Sequence, residues 1–188
     1  MLTGDYAIGL LTIITGLAIA DVVASLHVLL VNRARVRWDW LAMLAPLFIV
    51  LLIVAIWGIS YRNMGNRQFD PPLWSFAARL AQIIPMYLAA RASLPDAVGK
   101  EGVGLADHYA SVSRYFWASV AITYIIFLAF NVYRLGAGAL VGPYASPAAQ
   151  LLMMFVLVAV PRRRVHALLV PAIFALFCYD HLTRPMFS

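Results

Sequence analysis

Long apolar runs separated by short polar connections dominate this sequence. A helix rises about 1.5 Å per residue, so roughly 20 apolar residues are needed to cross the hydrocarbon core of a bilayer. Six runs approach or exceed that length, at about 6–31, 40–61, 72–93, 109–133, 141–160 and 164–183. Because a helix satisfies its own backbone hydrogen bonds in lipid, this pattern predicts an all-α polytopic transmembrane helical bundle with six spans. No connection is long enough to fold separately, so we expect a single membrane domain over residues 1–188.

Residues at the ends of the runs indicate where helices begin. Asp39 precedes the second run and can accept a hydrogen bond from a backbone N–H of its first turn. Asp70, followed by Pro71 and Pro72, suits the start of the third run, because proline is tolerated in a first turn. The fifth and sixth runs are joined only by PRRR, at 161–164.

The composition excludes a soluble fold of this size. Of the 188 residues, 64% are hydrophobic and 12% are charged, whereas soluble domains carry about 25% charged residues. The single cysteine, Cys178, excludes an intramolecular disulfide framework and a thiolate metal cluster. The net charge of +6 does not indicate nucleic-acid binding, because the basic residues lie between apolar runs rather than along one polar face.

The basic residues predict the orientation of the helices. One side of the predicted membrane carries Arg33, Arg35, Arg37, Arg91, Lys100, Arg162, Arg163 and Arg164. The other side carries Arg62, Arg67, Arg134 and Arg184. By the positive-inside rule, the first group faces the cytoplasm and both termini face the opposite side. We therefore expect an integral protein of a plasma membrane, such as a bacterial inner membrane, with the first span retained as a helix rather than cleaved as a signal peptide.

Polar residues interrupt the first run within GLAIADVVASLH (16–27), where Asp21 and Ser25 lie four residues apart. Helical geometry places one stripe of mostly small residues beside them: Gly9, Gly16, Ala20, Ala24 and His27. Small residues at this spacing let another helix approach closely, so we expect this stripe to pack inside the bundle. The opposite arc, which would face lipid, contains Ile19, Val22, Val23, Leu26, Leu29 and Leu30.

An ionisable residue within a span is expensive unless it is paired, so Asp21 requires a partner. The predicted depth of each arginine favours Arg114 of the fourth span, followed by Arg91 and then Arg79. The predicted intramembrane polar cluster therefore contains Asp21, Ser25, His27, Gln82, Arg91 and Arg114. The sequence leaves two roles open for it, a transport site with a titratable carboxylate and an ion pair that fixes helix packing.

Two further sets of residues are candidates for contacts with helices and lipid. Trp117, Tyr124 and Asn131 recur every seven residues along the fourth span, which favours a polar helix–helix seam over the lining of a pathway. The segments RVRWDW and RRR combine charge and aromatic rings at the predicted cytoplasmic interface. They predict contacts with anionic lipid headgroups by Arg35, Arg37, Trp38, Trp40, Arg162, Arg163 and Arg164.

Motifs for catalysis or for metal binding are not found. The sequence contains no HExxH, CxxC, GxSxG or Walker motif, and we expect no catalytic residues, metal or cofactor. A small ion or solute transporter or channel is the first hypothesis. The alternative is a non-catalytic subunit or scaffold of a membrane complex, and a lipid-binding sensor is less favoured. In each case we expect the lipid bilayer as a partner and a homo-oligomer or a larger membrane complex.

Overall fold

The computed structural model describes residues 2–65, 73–142 and 144–183, and almost all of them are helical. The six α-helices in these ranges are α1 (Leu2–Val31), α2 (Trp40–Gly65), α3 (Leu73–Ala92), α4 (Leu105–Leu135), α5 (Ala145–Ala159) and α6 (Arg163–Thr183). Two short strands, β1 (Val36–Arg37) and β2 (Val103–Gly104), lie in the first and third connections. The predicted all-α class is confirmed. The predicted helix start at Asp70–Pro72 lies outside the described residues.

Within the described ranges, three helices are long and apolar enough to cross a membrane, over Gly9–Val31, Trp40–Tyr61 and Leu105–Tyr133. Helix α5 (Ala145–Ala159) is apolar but has only 15 residues, fewer than the roughly 20 that a spanning helix needs. Both α3 and α6 contain several charged and polar side chains and are not among the three. The structure thus supports a membrane-embedded helical protein. Six spans and the orientation of the termini stay predictions.

The central helix of the bundle is α4, which packs against α3, α5 and α2. Helix α1 packs on α2 and α3, while α6 packs on α5 and α2, so the helices surround a continuous apolar core. Aromatic rings join three of them at its centre: Phe48 of α2 lies 5.9 Å from the ring of Trp117 and 5.4 Å from that of Phe177. All three side chains are buried.

The predicted packing face of α1 is wrong. Gly16, Ala20, Ala24 and His27 are exposed, and a Cβ built on Gly9 or Gly16 would meet nothing within 4 Å. The buried residues are instead Leu11, Thr15, Ala18, Val22, Ser25 and Leu29. Their alternating spacing of four and three residues is that of a helix–helix seam in which larger side chains interdigitate. The groove between α2 and α3 is filled by these side chains, and the small-residue stripe therefore turns outward.

Backbone pairing and an ion pair bring three connections to one end of the bundle. Strands β1 and β2 pair in parallel, with Val36 opposite Val103 and Arg37 opposite Gly104. Arg163, at the start of α6, donates a hydrogen bond to Asp39, just before α2. The first connection therefore contacts both the third connection and the start of α6, and the charge pattern assigns all three to one side.

The turn before β2 depends on glycine at position 102. Gly102 has a φ of +87°, and a Cβ there would overlap the carbonyl oxygen of Arg35. Gly99, three residues earlier, has no such restriction, because its nearest neighbour would lie 3.9 Å away. We expect Gly102→Ala to lower the free energy of unfolding by about 1–3 kcal/mol. Thermal unfolding in detergent measures this, with Gly99→Ala as the matched control, and equal melting of the two variants would contradict it.

Candidate functional site

Asp21 of α1 is paired with two side chains of α3. The hydroxyl of Tyr87 donates a hydrogen bond to Asp21 Oδ2 over 2.9 Å. Arg91 Nη1 lies 3.7 Å from Asp21 Oδ1. Tyr87 and Arg91 are four residues apart and so lie on the same face of α3, one turn from each other. The first helix is therefore held to the third through a carboxylate in its apolar span.

A second carboxylate shares the same arginine. Asp96, in the connection after α3, lies 3.3 Å from Arg91 through its Oδ1. The hydroxyl of Ser25, one turn beyond Asp21, donates to the same oxygen over 3.4 Å. We call these five residues (Asp21, Ser25, Tyr87, Arg91 and Asp96) the Asp21 cluster. It joins α1, α3 and the third connection.

The three charged side chains of the Asp21 cluster are partly exposed. The side chains of Asp21, Arg91 and Asp96 are 31%, 50% and 59% exposed. Ser25 is buried beneath them. Two carboxylates face one guanidinium, so the cluster carries a net negative charge when all three are ionised. Such an arrangement can hold helices together, and it can also take up a proton or a cation.

The structure brings together Asp21, Ser25 and Arg91 of the predicted polar cluster, but not its other members. Arg91, the second of the three candidate arginines, is the partner of Asp21, so the preferred ion pair with Arg114 is wrong. Arg114 is exposed on α4 and has no acidic partner within the described ranges. Gln82 is buried on α3, and its backbone carbonyl oxygen accepts a bond from Thr123 of α4 over 3.4 Å. His27 lies on the exposed face of α1. Tyr87 and Asp96 are the members that sequence reasoning missed.

A buried chain of hydrogen bonds connects α4 with the start of α6. Trp117 Nε1 donates to the hydroxyl of Tyr109 over 2.9 Å, and that hydroxyl lies 2.8 Å from His166 Nδ1. His166 Nε2 lies 3.2 Å from the carbonyl oxygen of Val160, which can only accept. The proton therefore sits on Nε2, and Nδ1 accepts the proton of Tyr109. All three side chains are buried, and Tyr109 has no signal in the sequence beyond its place near a helix start.

A third network joins α4, α5 and α6. Tyr124 donates to Gln150 Oε1 over 2.8 Å, and Gln150 Nε2 donates to Ser146 at 3.2 Å and to Asp180 at 3.4 Å. The amide of Gln150 thus uses its acceptor and both its donor positions. Asn131, the last member of the predicted stripe, accepts a bond of 2.8 Å from Tyr144. Trp117, Tyr124 and Asn131 accordingly all bond to protein groups.

The predicted lipid-facing arginines differ in their contacts. Arg37 forms an exposed ion pair of 2.9 Å with Asp107. Arg163 bonds to Asp39, whose other oxygen accepts the backbone N–H of Ala42 over 3.0 Å and so provides the predicted cap of α2. The remaining predicted residues, Arg35, Trp38, Trp40, Arg162 and Arg164, are exposed.

Side chains that could ligate a metal ion are dispersed among the described residues. No group of three or more His, Cys, Asp or Glu side chains in these ranges is placed to hold a metal ion. The imidazole of His108 bonds to the backbone carbonyl oxygen of Ala92, and that of His181 bonds to the backbone carbonyl oxygen of Phe177.

The fold and the sites define a helical protein with apolar helices compatible with a membrane and with polar networks between them. Neither a family model, nor a curated protein, nor a solved structure matches this chain.

The Tyr109 hydroxyl is predicted to stabilise the fold. Tyr109→Phe leaves the N–H of Trp117 and Nδ1 of His166 without a partner in a buried place, so we expect a loss of about 1–3 kcal/mol in the free energy of unfolding. Tyr115→Phe is the control, because Tyr115 is 49% exposed. Thermal unfolding in detergent compares the two, and a Tyr109→Phe protein as stable as the control would refute the role of the network.

Asp39 is predicted to make stability depend on pH. Burial acts to raise the pKa of Asp39, but the hydrogen bond and charge of Arg163 and the backbone N–H groups of Ala42 and Leu41 outweigh it and lower the pKa. A lowered pKa gives stability that is present above about pH 4 and is lost as the pH falls through the lowered pKa.

We therefore expect Asp39→Asn to melt below the wild type at neutral pH, with the difference disappearing at acidic pH. Asparagine also caps helices, so the change removes the charge and keeps the cap. Melting temperatures measured in detergent across this range test the prediction. A difference between the two proteins that does not change with pH would contradict it.

Proposed function

We propose that this protein is a non-catalytic membrane subunit or scaffold, whose internal polar side chains fix the positions of its helices. One observation carries the proposal. Within the described parts of the chain, every buried side-chain nitrogen and oxygen has a hydrogen-bond partner. Lipid offers no such partners, so closed networks of this kind stabilise one arrangement of helices.

The networks connect different helices, and those of Tyr109 and Gln150 are buried. The Asp21 cluster ties α1 to α3, the Tyr109 chain ties α4 to α6, and Gln150 bonds to α4, α5 and α6. A transport pathway needs polar groups that exchange their partners for a solute. The groups of Gln150 and Tyr109 are already committed to neighbouring helices, which supports a scaffold.

A subunit also needs a surface for a partner, and the exposed face of α1 supports that role. Gly16, Ala20 and Ala24 present almost no side-chain bulk there. Helices in membranes approach closely at such faces. A homo-oligomer or a larger complex is accordingly part of the proposal.

An ion- or proton-coupled transporter or channel is the second candidate, and one observation favours it. Asp21 lies in an apolar helix, yet its side chain is 31% exposed, and it shares Arg91 with Asp96. If Asp21 took up a proton, Arg91 would keep Asp96 as its partner. The carboxylate could then change its charge without leaving the arginine unpaired.

Asp21→Asn distinguishes the two candidates. For a scaffold, we expect the variant to lose about 1 kcal/mol of stability or to assemble less well, with no change in proton or cation flux. For a transporter, we expect it to stay folded and to lose flux. Thermal unfolding, oligomer size and flux into proteoliposomes measure these outcomes.

The matched control is Asp107→Asn, which removes the same charge from the ion pair with Arg37, where both side chains are about four-fifths exposed. We expect this control to leave both stability and flux unchanged, since many fully solvated ion pairs contribute nothing measurable to stability. If Asp21→Asn behaved as this control does in all three measurements, both candidate roles of Asp21 would be refuted.

A further inference from the structure

Four arginines at one end of the bundle remain without an acidic partner among the described residues. Arg37 and Arg163 are neutralised by Asp107 and Asp39. The unpaired arginines of the first and fifth connections are Arg33, Arg35, Arg162 and Arg164, and all four are exposed. The structure thus separates two groups of arginines that look alike in the sequence.

The packing of α6 on α2, together with the ion pair between Asp39 and Arg163, brings the two unpaired groups to the same end of the bundle. These residues are 124 positions apart in the chain, and their contact places the connection before α2 beside the start of α6. Arg162 and Arg164 flank Arg163, while Arg33 and Arg35 lie shortly before Asp39. Positive charge from two segments that are distant in the sequence is therefore presented at the same end of the bundle.

Two tryptophans lie in the same place. Trp38 and Trp40 flank Asp39 and are 45% and 56% exposed. Trp40 is also the first residue of the apolar segment Trp40–Tyr61. An indole at the start of an apolar helix lies where hydrocarbon meets the polar headgroups of a bilayer. We call Arg33, Arg35, Trp38, Trp40, Arg162 and Arg164 the Arg–Trp patch.

We propose that the Arg–Trp patch binds the phosphate groups of anionic phospholipids in the adjacent membrane leaflet. A guanidinium group can donate two parallel hydrogen bonds to two oxygens of one phosphate, and it keeps its charge at any physiological pH. The position beside the start of an apolar helix favours a lipid headgroup over a soluble phosphate. The net positive charge favours anionic over zwitterionic lipid. The proposal holds for a scaffold and for a transporter alike, since it requires only that the chain lies in a membrane.

The test measures lipid binding to the full-length protein in a neutral detergent. Native mass spectrometry with dioleoylphosphatidylglycerol and dioleoylphosphatidylcholine gives an apparent Kd for each lipid. We expect tighter binding of phosphatidylglycerol, and we expect Arg162→Gln with Arg164→Gln to weaken it on the order of 25-fold, about fivefold for each arginine. The control, Arg37→Gln with Lys100→Gln, removes equal charge at the same end and should weaken it less than about threefold.

Asp39→Asn provides a gain of binding that misfolding cannot imitate. The change releases Arg163 from its counter-charge and keeps a residue that caps α2. The packing of α6 on α2 still holds the two segments together. We expect the apparent Kd for phosphatidylglycerol at neutral pH to fall by up to about fivefold. An unchanged or weaker affinity would overturn the proposal.

Three other results would also overturn it. The first is equal binding of phosphatidylglycerol and phosphatidylcholine by the wild type. The second is equal loss of binding in the two double variants. The third is displacement of the lipid by inorganic phosphate, which would indicate a soluble anion as the ligand.

Discussion

The need to satisfy polar groups away from water is the constraint on which this structure depends. A buried hydroxyl, amide or imidazole without a partner costs several kcal/mol in an apolar surrounding. The chain meets this constraint with few residues, because single groups serve two helices at once. Gln150 bonds to α4 and α6 from α5, and Tyr109 is both acceptor for Trp117 and donor to His166. Each network therefore fixes the depth of one helix relative to another, which apolar packing alone does not.

Apolar packing determines which face of each helix turns inward. In α1 the residues at spacings of four and three, from Leu11 to Leu29, fill the groove between α2 and α3. Ser25 is part of that seam and Asp21 lies at its edge, so the position of the Asp21 cluster follows from the packing of larger neighbours. The small residues beside them face outward, where close approach of a second helix is sterically open.

Much of the fold could be predicted from apolar run length, and the Asp39 cap from its place before a run. The identity of the partner of Asp21 could not, because helical periodicity gives the face of a residue but not its depth relative to a neighbouring helix. The depth predicted from the ends of the apolar runs favours Arg114 over Arg91, whereas the structure pairs Asp21 with Arg91. Tyr109 and His166 are 57 residues apart, and no periodicity relates them. The apolar pattern predicts a fifth run that begins near 141, whereas α5 begins at Ala145, after a 3-10 turn over 137–140 and a further turn at 141–142.

The ion pairs at the end of the bundle determine which of its arginines carry an uncompensated positive charge. RVRWDW and RRR together contain five arginines, and Arg33, just before RVRWDW, is the sixth. The charge pattern of the sequence indicates a single basic surface formed by these six. In the structure two of them serve the fold: Arg37 pairs with Asp107 beside the paired strands, and Arg163 pairs with the residue that caps α2. The others extend from the same backbone segments, so the contacts that organise this end also determine where free positive charge is presented. Protein folding and any recognition of lipid thus depend on the same two short segments.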